Sequence, residues 1–197
     1  MSTNSLTRLV SAILIPIAFA ACGTSAQPHF YALTSTAAPA AAQSAPIAVL
    51  VGPVSVPAAV DRPQFVVQKA SNRVDIDEFN RWSAPLNDSI ARVIASDLST
   101  QLGTPNVATA PLANFAPDYR VTIDVQRFDT IEGQGVTVEA VWVARKSDGK
   151  TRTGRTIAHE ATQGNGFDAI AAAHSRALAQ VSADIAEAIR SEASATQ

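Results

Sequence analysis

The chain has 197 residues, 47% of them hydrophobic and 16% charged, which suits one domain with a core of its own. Fifteen basic against seventeen acidic residues give a formal net charge of −2 with no run of like charges, so there is no electrostatic footprint for nucleic acid. One cysteine and three dispersed histidines, His29, His159 and His174, exclude an internal disulfide and argue against a structural metal site; no cofactor is expected.

Residues 1–21 predict a secretory signal peptide. Arg8 precedes an apolar run from Leu9 to Ala21, 13 residues long, against the roughly 20 that a membrane-spanning helix needs. Phe19-Ala20-Ala21-Cys22 resembles the bacterial lipobox, in which small residues precede a cysteine whose thiol accepts a diacylglycerol; Phe19 stands in place of the usual Leu. Ordinary A-x-A cleavage beside a buried cysteine is the alternative, and the position of the only cysteine argues against it. Two or three acyl chains on Cys22 hold a protein on a bilayer essentially permanently, where one holds it marginally. Gly23 and Thr24 follow, where an Asp would favour the inner membrane, so the expected location is the outer membrane, facing the periplasm.

Residues 22–46 are expected to be a tether, with a short docked strand at residues 30–33 and a flexible Ala/Pro-rich loop from Thr34 to Pro46, and residues 47–193 a single globular domain. Ile47 to Val51 is a continuous apolar run ended by Gly52-Pro53, which predicts a strand buried on both faces. Gln64–Gln68 and Arg73–Ile76 flank Ser71-Asn72 and predict a hairpin, whose short, polar second arm suits a sheet edge. Leu86, Ile90, Val93, Ile94, Leu98 and Leu102 form one stripe of a helix over residues 86–102, with Ser83 as cap, Pro85 in its first turn and Gly103 as stop. Alternation at Val121–Gln126, Val136–Val143 and Arg152–Ala161, with turns at Glu132–Gly135 and Ser147–Lys150, predicts an antiparallel meander. A last helix opens at Asp168 as cap and carries Ile170, Ala177, Leu178, Val181, Ile185 and Ile189 on one face. The sum is an α/β (α+β) sandwich: a mixed, largely antiparallel sheet packed with two long helices.

No motif for catalysis is present: no G-x-S-x-G, H-E-x-x-H or P-loop. Gly164-Asn165-Gly166-Phe167-Asp168-Ala169 matches G-x-G-x-x-A, but no second strand follows to carry a ribose-binding acid, so it reads as a turn before a helix. Asp75, Asp77 and Glu78 read as solvated edge charges, and His159 and His174 as surface or helix-flank residues. The expected protein is therefore not an enzyme. Two segments stand out, Asp61-Arg62-Pro63-Gln64 and Phe79-Asn80-Arg81-Trp82. Trp82 or Phe79 packs on the core with Arg81 paired to a carboxylate, or Asp61, Arg62, Gln64, Phe79, Arg81 and Trp82 form a docking surface.

Cys22, Tyr31-Ala32-Leu33, Ile47 to Pro57, Asp61–Gln64, Phe79 to Leu86 and Val121 to Asp129, which ends in Arg127-Phe128-Asp129, resemble together the ABC-type transport auxiliary lipoproteins, the PqiC-like family. The sequence departs from the family's pattern in its long Ala/Pro insert and in Ala84, where an acid is common. The resemblance implies a sandwich similar to the amino-terminal domain of TolB. It also implies a non-catalytic lipoprotein that receives a mammalian-cell-entry (MCE) transport protein at the outer membrane. The docking surface is expected to contact that MCE protein or a second copy of the chain, as a homo-oligomer. A lipid carrier and a regulator of a cell-wall enzyme are the alternative readings.

Overall fold

The computed structural model describes residues 26–39, 47–111 and 113–194; Cys22 and the signal segment lie outside them. The elements follow in the order β1 (His29–Tyr31), β2 (Val49–Ser55), β3 (Gln64–Ala70), β4 (Arg73–Trp82), α1 (Leu86–Leu102), β5 (Val107–Ala108), β6 (Tyr119–Ile131), β7 (Gly135–Lys146), β8 (Thr151–Glu160) and α2 (Phe167–Ser194). They form the expected sandwich, a mixed sheet in one layer and two helices packed side by side in the other.

The 13 residues of β6 organise the sheet. One edge of β6 runs antiparallel to β7, which pairs antiparallel with β8, giving the meander that the alternation predicts. The other edge is shared by two parallel neighbours, β2 from Val49↔Tyr119 to Ser55↔Asp124 and β3 at Val67↔Thr130 and Gln68↔Ile131. The sheet therefore forks, one arm continuing through β2 to β5 and the other through β3 and β4 to β1. The long pairings are antiparallel; β1–β4 and β2–β5 are short and parallel.

Val49, Leu50 and Val51 are all buried, as a continuous apolar run requires. Beyond them Gly52 takes φ 128°, a conformation that side-chain-bearing residues rarely adopt, and precedes a cis bond to Pro53. The register with β6 then resumes at Val54↔Ile123. In β6, Val121, Ile123 and Val125 face the helices; a bulge between Val125 and Arg127 resets the alternation so that Phe128 and Thr130 face inward too.

Helix α1 buries the whole predicted stripe and ends at Gly103, φ 64°, whose N–H bonds the Ser99 carbonyl. Its start differs from the expectation. Pro85 occupies the cap position, because its extended ψ of 137° turns the chain into the helix and Ser89 N donates to its carbonyl at 3.0 Å. Ser83 is drawn away to β1, donating its N–H to Tyr31 O at 2.8 Å. Asp168 likewise lies within the first turn of α2 and is not its cap; there its charge complements the helix dipole.

Three further expectations are corrected. The second hairpin arm, β4, is long, spanning Arg73–Trp82. Residues 34–37, expected to be free, are stitched to both helices: Thr34 N donates to Ser175 Oγ at 3.1 Å, and Asp97 of α1 accepts Ser35 Oγ at 2.5 Å, Ala37 N at 3.3 Å and Ser182 Oγ at 3.0 Å. Burial pushes the Asp97 carboxyl above the usual carboxylate range although these donors pull the other way. His174, expected on a helix flank, is fully buried. Its ring stacks on Phe128 with centroids 3.9 Å apart, and Nε2 meets Thr130 Oγ1 at 3.0 Å while Nδ1 has no partner among the described residues. It lies inward because the helical spacing that buries Ala177, Leu178 and Val181 carries position 174 to the same face.

The core is closed by small residues as well as large ones. Ala173 and Ala177 let α2 approach the sheet, and Gly154 of β8 lies directly under Trp142 of β7, where a Cβ would enter the indole ring. Trp142 Nε1 donates to Thr156 Oγ1 at 3.1 Å, so the ring is fixed at both its face and its edge.

Candidate functional site

The two segments singled out in the sequence meet where β3 and β4 join the helix layer. Gln64 pairs with Arg81, but the next β3 residue, Phe65, pairs with Asp77, so residues 78–80 form a bulge in β4. Asp77 closes this bulge, accepting N–H groups from Phe79 at 2.9 Å and Asn80 at 2.8 Å and the Asn80 amide at 3.0 Å. Burial works against its ionised form, yet the Asn80 and Phe79 donors outweigh it and hold the carboxyl below the usual range. Asp77 is thus a structural acceptor at the edge, while Asp75 is exposed as expected.

The bulge sets the direction of the three residues after it. Arg81 folds back on its own turn, Nε donating to Glu78 O at 2.8 Å with Nη2 3.7 Å from the Glu78 carboxylate, which is the expected ion pair. Gln64 Nε2 reaches the same carboxylate at 3.4 Å. Trp82 enters the core, stacked on Phe65 with centroids 4.0 Å apart and edge-on to Phe128 and His174. Phe79 stays in the bulge, 48% exposed. Packing therefore accounts for Trp82 and not for Phe79.

Trp82 N donates to Pro63 O at 2.6 Å, which draws the Asp61–Pro63 loop alongside the entry to α1. Between them lies a groove of about 360 Å³, walled by Asp61, Arg62 and Pro63 on one side and Ser83, Ala84 and Pro85 on the other, with Trp82 and Leu86 at its floor. Among the described residues the side chains of Asp61 and Arg62 make no hydrogen bond or ion pair, so both charges stand free at the rim. The structure thus brings Asp61, Arg62 and Trp82 together, sets Gln64 and Arg81 beside them on the sheet, and leaves Phe79 outside the groove. Ala84, marked in the sequence only as a departure from the family's pattern, is a wall residue of the groove beside Pro85.

Among the described residues no group of three His, Cys, Asp or Glu side chains can hold a metal ion, and no helix is long and apolar enough to cross a membrane. His159 is exposed, its Nδ1 2.9 Å from Thr137 Oγ1.

Over residues 31–186 the sequence matches the family described as ABC-type transport auxiliary lipoprotein component. The chain belongs to this family. The matched span runs from β1 into α2 and includes both groove walls, so the lipoprotein's groove is built from family sequence. Two crystal structures share the fold. One, of an uncharacterized protein, gives a TM-score of 0.70 at 22% identity and covers 83% of this chain and 99% of its own. The other, of a Xanthomonas campestris protein, gives 0.70 at 20% identity and covers 86% and 100%. No curated protein matches the sequence.

Proposed function

We propose that this lipoprotein is a non-catalytic subunit of an ABC/MCE-type intermembrane lipid transport system. Acylated at Cys22 and held at the outer membrane facing the periplasm, it docks the transporter's MCE protein. The groove between the Asp61–Pro63 loop and the start of α1 is the observation that carries this reading. It couples an apolar floor to two unpaired, opposite charges at its rim, the composition of a protein-docking pocket with an orienting edge. Membership of a transport auxiliary lipoprotein family supports the same direction. An internal lipid carrier would need a cavity of roughly 300 Å³ or more. The space bordered by Phe65, Trp82, Phe128 and His174 is about 10 Å³, and the groove of about 360 Å³ lies at the surface, between a loop and a helix start.

The test is capture of an MCE-domain partner by the acylated chain after mild crosslinking, comparing the native sequence with Asp61→Lys/Arg62→Glu. Because both side chains are exposed and unpaired, the double variant keeps its melting temperature and loses most of the crosslinked partner. Equal capture refutes the groove as the docking site. Trp82→Ala is unsuited to this test, since removing a stacked, buried indole weakens the fold itself.

A further inference from the structure

The helices cover one face of the sheet, and the other face is not uniform. Across β6, β7 and β8 it is mixed: Arg155 donates to Glu139 through Nε at 3.0 Å and Nη2 at 2.6 Å and Arg127 pairs with Asp129 at 2.8 Å, while exposed Val141 and Ile157 stand opposite Arg155 and Glu139. At the β3–β4–β1 end it carries an apolar stripe beside the Arg81–Glu78 pair. The register places Ile76 opposite Val66 and Val74 opposite Gln68, all on the side away from the helices, because the neighbouring residues Phe65 and Val67 point into the core. Phe30 of β1 lies beside Arg81, the partner of Gln64, and so shares that side, while its neighbour Tyr31 packs edge-on to Phe65. Phe30 is 62% exposed, Val74 56% and Ile76 42%, and exposed Phe79 lies in the bulge between them. Asp75 and Asp77 stand opposite Val67 and Phe65, on the other side of β4. The apolar stripe is therefore clear of their charge.

We propose that this stripe rests on the phospholipid bilayer to which the chain is anchored. The proposal depends on acylation of Cys22. What points to lipid, and not to a partner protein, is the stripe's place in the chain. Phe30 belongs to the first strand after the anchor, eight residues beyond Cys22, and eight residues span at most about 26–29 Å. The β1–β4 edge can never be far from the headgroups. An exposed aromatic and two aliphatic side chains on one face, with Asp75 and Asp77 turned to the other and Glu78 paired to Arg81, match the apolar face of an interfacial element. The anchor then fixes the distance, and the stripe fixes which face of the sandwich meets the membrane.

The experiment uses the acylated full-length mature chain with a single added cysteine labelled by an environment-sensitive nitrobenzoxadiazole dye, the thiol of Cys22 being blocked by acylation. The dye is placed at Ile76→Cys, at Phe30→Cys as a second position in the stripe, and at Ser96→Cys, exposed on α1 in the opposite layer. In phosphatidylethanolamine/phosphatidylglycerol vesicles carrying doxyl-labelled lipid, the dyes at 76 and 30 shift to the blue and lose most of their emission to the doxyl groups, while the dye at 96 keeps its emission. If the chain floats with the vesicles and positions 76, 30 and 96 behave alike, the stripe does not touch lipid and the proposal falls while the anchor stands. Shielding at 76 that persists in detergent, together with a doubled mass, assigns the face to a second copy and also overturns it. A chain that takes up two dyes and stays in the supernatant lacks acyl groups, and both readings fall together.

Discussion

Lowering the pH from about 7.5 to about 5 is expected to weaken the fold through His174, by an amount that follows from its surroundings. Burial holds its imidazole down to about 3 in the folded chain, whereas it titrates near ~6.5 in the unfolded chain. Between those values the unfolded chain binds a proton that the folded chain excludes. Stability is therefore full above the unfolded value and falls as the pH drops below it. At about 1.4 kcal/mol per pH unit, the loss at pH 5 is about 2 kcal/mol, or about 4–8 °C in Tm for a domain of this size. The assay is urea unfolding at both pH values, for the native sequence and for His174→Phe, which keeps an aromatic ring against Phe128 but binds no proton. The lost Thr130 contact shifts the variant's stability equally at both pH values, and every other titrating group is common to the two proteins. The difference between them should therefore shrink by about 2 kcal/mol on acidification. A difference that is the same at both pH values refutes the claim that His174 is held neutral.

Three further outcomes test the packing. Asp97→Ala removes the acceptor for Ser35, Ala37 and Ser182 and should lower the unfolding free energy by about 2–3 kcal/mol in urea titrations. Because burial raises the Asp97 carboxyl's pKa, its charge opposes folding at neutral pH and the opposition is relieved as the pH falls through the raised value. Asp97→Asn, which keeps an acceptor oxygen and has no charge, should therefore lack this acid-side gain, whose sign is opposite to the His174 effect; thermal melts at acid and neutral pH measure it. Gly154→Ala pushes a methyl group into the Trp142 ring and should cost about 1–3 kcal/mol with a change in tryptophan emission. An unchanged Tm would show that the two strands can part without strain.

What was legible in the sequence was whatever local periodicity determines. The stripe from Leu86 to Leu102 and the alternation at Val121, Ile123 and Val125 each reflect a single buried face, and each folded as read. Short parallel pairings carry no such signal: β5 has two residues, and β1 is held by a neighbour some fifty positions away. The Ser83 cap failed because a serine can bond elsewhere; β1 claimed its N–H, and Pro85 needed no side-chain acceptor to start the helix. The 34–37 segment read as loop because Ser35 and Thr36 look soluble until Asp97 and Ser175 are placed beneath them. His174 had the one warning that could have been used, its place among Ala173, Ala177 and Leu178 on a helix whose inward face is built of small residues. At the groove, sequence marked Asp61, Arg62 and Trp82 as unusual. That Ala84 faces them across an opening depended on the β3–β4 register and its bulge.

The fork at β6 also fixes an order of events. Val49 finds its neighbour 70 residues later at Tyr119, and Val67 finds Thr130, so the hairpin and the apolar run made early in synthesis have no sheet to join until β6 emerges. Distant pairings of this kind close slowly and leave sticky strand edges uncovered in the interval. A chain made amino-terminus first must therefore wait, half-assembled, for its own middle to arrive. A chaperone that shields Ile47–Val51 during that wait would cover strand edges that have no neighbour yet.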